Sequence, residues 1–231
     1  MAFFPDSSTA RGGLPDRQLI HRSYLLENGD LIFNLQYIGT VRMDACGRVR
    51  WRLPYGGHHS VAWAEENSFW VSGTTQSPQA TTDHNPEGFP GLDHPTWLDQ
   101  LLHVAPDGKV LDRINVLDLL YANDLDYHLA QSYQPDAESD TPRTKDFTHG
   151  NDVEPLPASM ADEYPLVEAG DLVVSLRNIH VIFVVAPQLR VINIKWHATD
   201  PFVQQHDPDF IGSGWISVFD NRDDFTPQGS M

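Results

Sequence analysis

HRSYLLENGDLIFNLQYIGTVRMDACGRVRW, residues 21–51, is built from short runs of β-formers broken by turn residues. Asn28-Gly29-Asp30 interrupts the first run and Ala45-Cys46-Gly47 the second. Glycine in such positions supplies a positive φ at no steric cost, so each cluster marks a chain reversal. The stretch predicts three short strands folded back on one another, opened by His21 and closed by Trp51.

The same order returns three times, which matters because a repeat fixes the architecture before any single element does. HSVAWAEENSFWVSG, residues 59–73, places Phe69 ten residues after His59, as Leu31 stands ten after His21. HDPDFIGSGWISVFDN, from His206, places Ile216 ten residues on. From His149 the phrase resumes at Gly170-Asp171-Leu172 after about thirteen inserted residues, and it closes on Trp196 as the first closes on Trp51. The second unit adds a hairpin over residues 101–116, LLHVAPDGKVLDRINV, turning at Pro106-Asp107-Gly108. Residues 76–99 form an insertion rich in Pro, Asp and His.

Short strands in sets of about four with a fixed opening residue point to an all-β chain, a β-propeller of four-stranded blades. Blade starts are expected near residues 21, 59, 149 and 206, within one domain over residues 1–231 whose last blade stops after its second strand. A β-sandwich would not explain why a histidine opens each unit. VLDLLYANDLDYHLAQ, residues 116–131, predicts one helical insertion lying across a rim, and residues 136–145 read as a polar loop.

Composition narrows the function. The formal charge of −17 repels phosphate backbones and anionic lipid, so no nucleic acid is expected as a partner. No window reaches the roughly 18 uninterrupted apolar residues of a spanning helix, and the most apolar run, IHVIFVVAP, has the length of a strand. MAFFPDSSTARGG, at the start of the chain, lacks the basic and apolar regions of a signal peptide. A single cysteine, Cys46, excludes an internal disulfide and any cysteine-based metal cluster. The Asp-His pairs Asp83-His84 and Asp93-His94 belong to surface-loop chemistry.

In a propeller the innermost strand of each blade lines the central channel, so His21, His59, His149 and His206 are brought together around its mouth. A repeat can also keep a histidine for a blade-to-blade hydrogen bond, and His21 fits that role best. Arg177, five residues after Leu172 in VVSLRNIH, is expected inside the second strand of its blade. Its equivalents are Gln36, Thr74 and Asn221, all uncharged. An arginine within an apolar strand is costly unless it meets an anion or a carboxylate. Neutral imidazole is nucleophilic near neutral pH, and guanidinium grips an oxyanion with two parallel bonds. Histidines beside one arginine therefore suit transfer of a sulfuryl or phosphoryl group.

At these residues the chain resembles the bacterial arylsulfate sulfotransferases and, more broadly, the six-bladed propellers of arylsulfotransferase type. The resemblance rests on GGHHSV around His59, THGNDVEPLP around His149, GDLVVSLRNIHVIFVV around Arg177 and QHDPDFIGSGWISVFDN around His206. It implies sulfate transfer from an aryl sulfate to a phenol without a nucleotide cofactor or a metal. Carried over, His206 becomes the transiently sulfated histidine. His149 and Arg177 stabilise the sulfuryl oxygens and the departing phenolate, and His59, rather than its neighbour His58, binds sulfate or moves a proton. The family is commonly exported, which the first residues do not announce. A six-bladed ring needs two more blades than the chain displays. That deficit is met if the chain is part of a longer protein, closes differently, or shares a ring with a second copy as a homo-oligomer. Two rival functions fit the same histidines: a four-imidazole iron oxygenase, and a non-catalytic binding propeller or inactive fragment.

Overall fold

Apolar runs of five or six residues joined by short polar turns pair with their chain neighbours, because a short loop costs little entropy to close. The computed structural model describes residues 19–56, 59–92, 94–132, 147–187 and 193–221. These residues are mostly β, in four antiparallel sheets with few helices.

The first sheet runs β1 (Ile20–Leu25), β2 (Leu31–Leu35), β3 (Gly39–Met43), β4 (Val49–Leu53), hydrogen-bonded in chain order. Residues 31–43, expected as one strand, are thus two. Tyr37 takes φ 56° and Gly39 φ 154°, and Ile38 donates its backbone N–H to Leu35 at 2.9 Å. That reversal is carried by a tyrosine in the left-handed region, so no Asn-Gly or Pro-Gly pair announces it.

The second sheet is β5 (Val61–Trp63), β6 (Phe69–Thr74), β7 (Asp99–Val104), β8 (Val110–Asn115). The third is β9 (Gly150–Pro155), β10 (Leu172–Leu176), β11 (Val181–Val185), β12 (Ile194–Ala198). A two-stranded sheet of β13 (His206–Phe210) and β14 (Ile216–Phe219) follows. The second strands begin at Leu31, Phe69 and Ile216, ten residues after His21, His59 and His206, and at Leu172, which follows His149 after the insertion.

The helical insertion is shorter than expected. Helix α1 spans Val116–Ala122; Asp124 then turns left-handed at φ 55°, and a 3₁₀ turn (Asp126–His128) leads into α2 (Leu129–Ser132). Asn123 ends α1, its side-chain amide donating to the Leu119 carbonyl at 2.8 Å. Nor does α1 lie across a rim. Val116, Leu117, Leu119 and Leu120 are buried against Val153, Leu172 and Phe183, which wedges the helix between the second and third sheets. The expected polar loop at 136–145 lies outside the described residues.

Each sheet buries its faces on its neighbours. Ile32, Val61, Phe69, Val71 and Leu102 fill the space between the first and second sheets. Leu156, Val173, Ile182, Val184 and Phe210 do so between the third sheet and the β13–β14 hairpin. On the opposite face of the first sheet Phe33, Leu35 and Val41 are buried together. The first strands of the four units, β1, β5, β9 and β13, lie side by side as β1 on β5, β5 on β9 and β9 on β13. The residues inserted between β9 and β10 contain a 3₁₀ turn (Ala158–Glu163), and Tyr164 Oη donates to the Trp215 carbonyl at 2.6 Å, clasping the hairpin.

Candidate active site

His21 is the second residue of β1, His59 and His149 stand just ahead of β5 and β9, and His206 opens β13. Because each second strand runs back antiparallel to the first, its far end returns to the histidine: Gln36, Thr74, Arg177 and Asn221 all arrive at this end of the sheets. Arg177 lies one residue beyond β10, opening a 3₁₀ turn (Arg177–Ile179), and so is not inside the strand. Leaving the strand removes the cost of burying a guanidinium among apolar neighbours.

The four imidazoles converge around His59. Its ring centroid lies 4.3 Å from that of His21, 5.4 Å from His149 and 5.2 Å from His206, with interplanar angles between 59° and 88°. His21 joins the cluster, where sequence reasoning favoured a structural role for it.

Local hydrogen bonds fix each ring's backbone. His59 and His149 take φ 67° and 52°, a region that a non-glycine residue holds only when its surroundings impose it. Asn34 donates to the carbonyls of His59 (3.3 Å) and Ser60 (2.8 Å). Around His149, the buried Asp99 accepts from Thr148 Oγ1 (2.5 Å) and Gly150 N (2.9 Å), the residues on either side, while Arg177 N donates to the His149 carbonyl (3.1 Å). Near His206, the fully buried Gln205 donates its amide to the carbonyls of Leu176 (3.2 Å) and Val181 (3.1 Å). Asp99 and Gln205 were not legible as site residues; a carboxylate opening the apolar strand β7 was the one available hint.

Two groups meet His206 Nδ1: the Gln204 carbonyl at 2.9 Å and the Asn221 amide at 2.8 Å. The carbonyl can only accept and Asn221 Nδ2 can only donate, so the two contacts ask for opposite tautomers. With the Asn221 amide turned so that Oδ1 faces the ring, both are met by a hydrogen on Nδ1, which leaves Nε2 its lone pair. The guanidinium of Arg177 donates to Gln204 Oε1 (2.9 Å) and Asn178 Oδ1 (3.0 Å). Among the described residues, two amide oxygens stand where a carboxylate partner would be expected, and they orient the guanidinium.

The electrostatics follow from crowding. Burial, then repulsion from His21, His149, His206 and Arg177, pushes the His59 imidazole down to about 3. His206 lies below its ordinary value through burial first, with Arg177 and His149 adding to the effect and the Gln204 carbonyl opposing it. His21 is lowered by burial, against a hydrogen bond that its ring donates to the Gln36 side chain. Crowding and burial thus hold His21, His59 and His206 toward the neutral form beside the Arg177 guanidinium. Among the described residues, no group of three or more His, Cys, Asp or Glu side chains is placed to hold a metal ion.

The model of the arylsulfotransferase (ASST) family matches residues 22–230 of this chain. No curated protein matches it. Among solved structures, Kuenenia stuttgartiensis hydrazine synthase is similar at 13% identity and a TM-score of 0.38, over 71% of this chain and 38% of that one. So distant a likeness carries no weight for fold or function.

Proposed function

The chain belongs to the arylsulfotransferase family, and from this premise we propose that it moves a sulfuryl group from an aryl sulfate ester to a phenolic acceptor through a sulfohistidine on His206. One observation carries the proposal: imidazoles from four separate units, with Arg177 beside them, meet at one end of the sheets. Consecutive antiparallel meanders, faces packed on their neighbours and first strands side by side, support a propeller of the six-bladed type. Residues 1–231 then belong to one propeller domain, two blades short of a six-bladed ring, with blades starting near 21, 59, 149 and 206. The chain spans 38% of the length of the solved chain it resembles.

In the first half-reaction the Nε2 lone pair of His206 attacks sulfur. The N–S bond forms as the S–O(aryl) bond breaks, and the phenolate leaves with that bond's electron pair. Arg177 and His149 hold the sulfuryl oxygens, where one oriented donor is worth on the order of 10²–10³ in rate. His59 binds as a neutral imidazole, a form that its low pKa guarantees. In the second half-reaction the acceptor phenol attacks sulfur, gives up its proton to the medium or a neighbouring imidazole, and returns the lone pair to Nε2.

The test is intact mass spectrometry of folded protein incubated with 4-nitrophenyl sulfate without nucleotide. A mass gain of one sulfuryl group is expected, lost on adding phenol and missing in His206→Asn. No adduct on the wild-type chain, or an adduct that survives in His206→Asn, overturns the assignment.

A further inference from the structure

The histidines lie on four different first strands, so something must set the distance between those strands at this end. Arg22 occupies the place from which that is done. It follows His21 on β1, where the pairing with β2 slips between Ile20 and Ser23, so that His21 and Arg22 together stand against the single residue Asn34. Such a bulge re-aims the side chains within it. Similar irregularities occur in β9 next to Asp152 and in β13 between His206 and Asp209.

From this bulge Arg22 Nη1 donates to Asp152 Oδ1 at 2.8 Å and to Asp207 Oδ1 at 3.0 Å. Asp152 is three residues after His149, and Asp207 is next to His206. One guanidinium therefore ties together the three strands that carry His21, His149 and His206. The fourth is held to the same frame by Ser60, next to His59, whose hydroxyl donates to the Val153 carbonyl at 3.0 Å. The Asp152 side chain is fully buried, and it shares its surroundings with Glu154, Asp207 and Asp209. Without a cation among them these carboxylates would repel β9 from β13.

We propose that Arg22 is a positioning residue which, through Asp152 and Asp207, sets the spacing of the histidine cluster. Its consequence for sulfuryl transfer rests on the proposed function; its consequence for the placement of the imidazoles does not.

The experiment uses Arg22→Met paired with Asp152→Asn in one chain, since removing Arg22 alone would leave the buried Asp152 carboxyl without its partner and add a stability cost of its own. Two readouts are taken on protein shown to be folded by its melting curve. The titration of the four imidazoles, followed by nitrogen-detected NMR, is expected to show His59 moving from about 3 toward its ordinary 6.5 as the loosened cluster admits water. The rate of sulfohistidine formation is expected to fall roughly 10- to 100-fold, with the KM for 4-nitrophenyl sulfate little changed, as misplacement of reacting groups does. Arg22→Lys, which keeps the charge but not the fork, is expected to fall between the two. The proposal is overturned if the double variant keeps both the wild-type rate and the wild-type His59 titration. It is equally overturned if the rate falls only in step with the unfolded fraction. If the wild-type chain forms no sulfohistidine, the proposed function fails, and the His59 titration alone decides the role of Arg22.

Discussion

At His206 the Gln204 carbonyl, with the Asn221 amide oxygen turned to the ring, favours Nε2 as the reacting nitrogen, and burial lowers the imidazole below its ordinary value. The sign follows directly. A lowered pKa keeps the nucleophilic form populated below the ordinary 6.5, so sulfohistidine formation should stay flat from pH 8 to 6.5 and decline only at lower pH. Initial rates across that range check it, and an acid limb centred at or above 6.5 would contradict it. Arg177→Lys should lower the rate on the order of 10²-fold with an unchanged melting temperature, because an ammonium cannot hold Gln204, Asn178 and two sulfuryl oxygens at once. The residue types of this site were legible: a histidine returning at fixed register, and one arginine where its equivalents are uncharged. The bonds that aim them were not, because Gln204 reaches Arg177 and Asp99 reaches the neighbours of His149 from other units, across sequence separations that local spacing does not encode.

The elements hold these side chains by closing small gaps between sheets. Asp99 opens β7 yet bonds both neighbours of His149. Asp99→Ala would leave a buried hydroxyl and a buried N–H unsatisfied, at about 1–3 kcal/mol each. The expected outcome is a lower melting temperature together with weaker donor binding by calorimetry. At the other end of the sheets, the turn between β7 and β8 packs on the first unit. Gly108 sits at φ 90°, a Cβ there would come within 2.6 Å of the Trp51 ring, and Trp51 Nε1 donates to the Pro106 carbonyl at 2.9 Å. Gly108→Ala should destabilise by about 1–3 kcal/mol through this clash alone, read from urea denaturation. Strand starts were legible, since counting ten from His21, His59 and His206 reaches Leu31, Phe69 and Ile216, and the Gly170-Asp171 turn marks Leu172 behind its insertion. The reversal at Tyr37 and the break at Asp124 were not, because each rests on a non-glycine residue held at positive φ by its neighbours.

On the scale of the whole molecule, charge is distributed so that stability depends on pH from both sides. Burial pushes the Asp152 carboxyl up to about 7 and Glu154 to about 8, the latter also through repulsion from Asp152. A carboxyl raised above its unfolded value contributes stability that is present at low pH and lost as pH rises through the folded value. The lowered imidazole of His59 works in the opposite sense, losing stability as pH falls from 6.5 toward 3. Between pH 6.5 and 9 only the carboxyls of this set titrate, so the melting temperature should fall as pH rises. Glu154→Gln should flatten that slope. An unchanged slope in the variant would assign the effect to other groups.

The turn at Asp44–Arg48 stands at the end of the first sheet away from His21, and it carries the chain's one cysteine, exposed and unbonded. A maleimide-bearing surface would therefore capture every molecule by the same point and in the same orientation. The imidazole mouth would face the liquid, and donor and acceptor would be exchanged over it by flow alone.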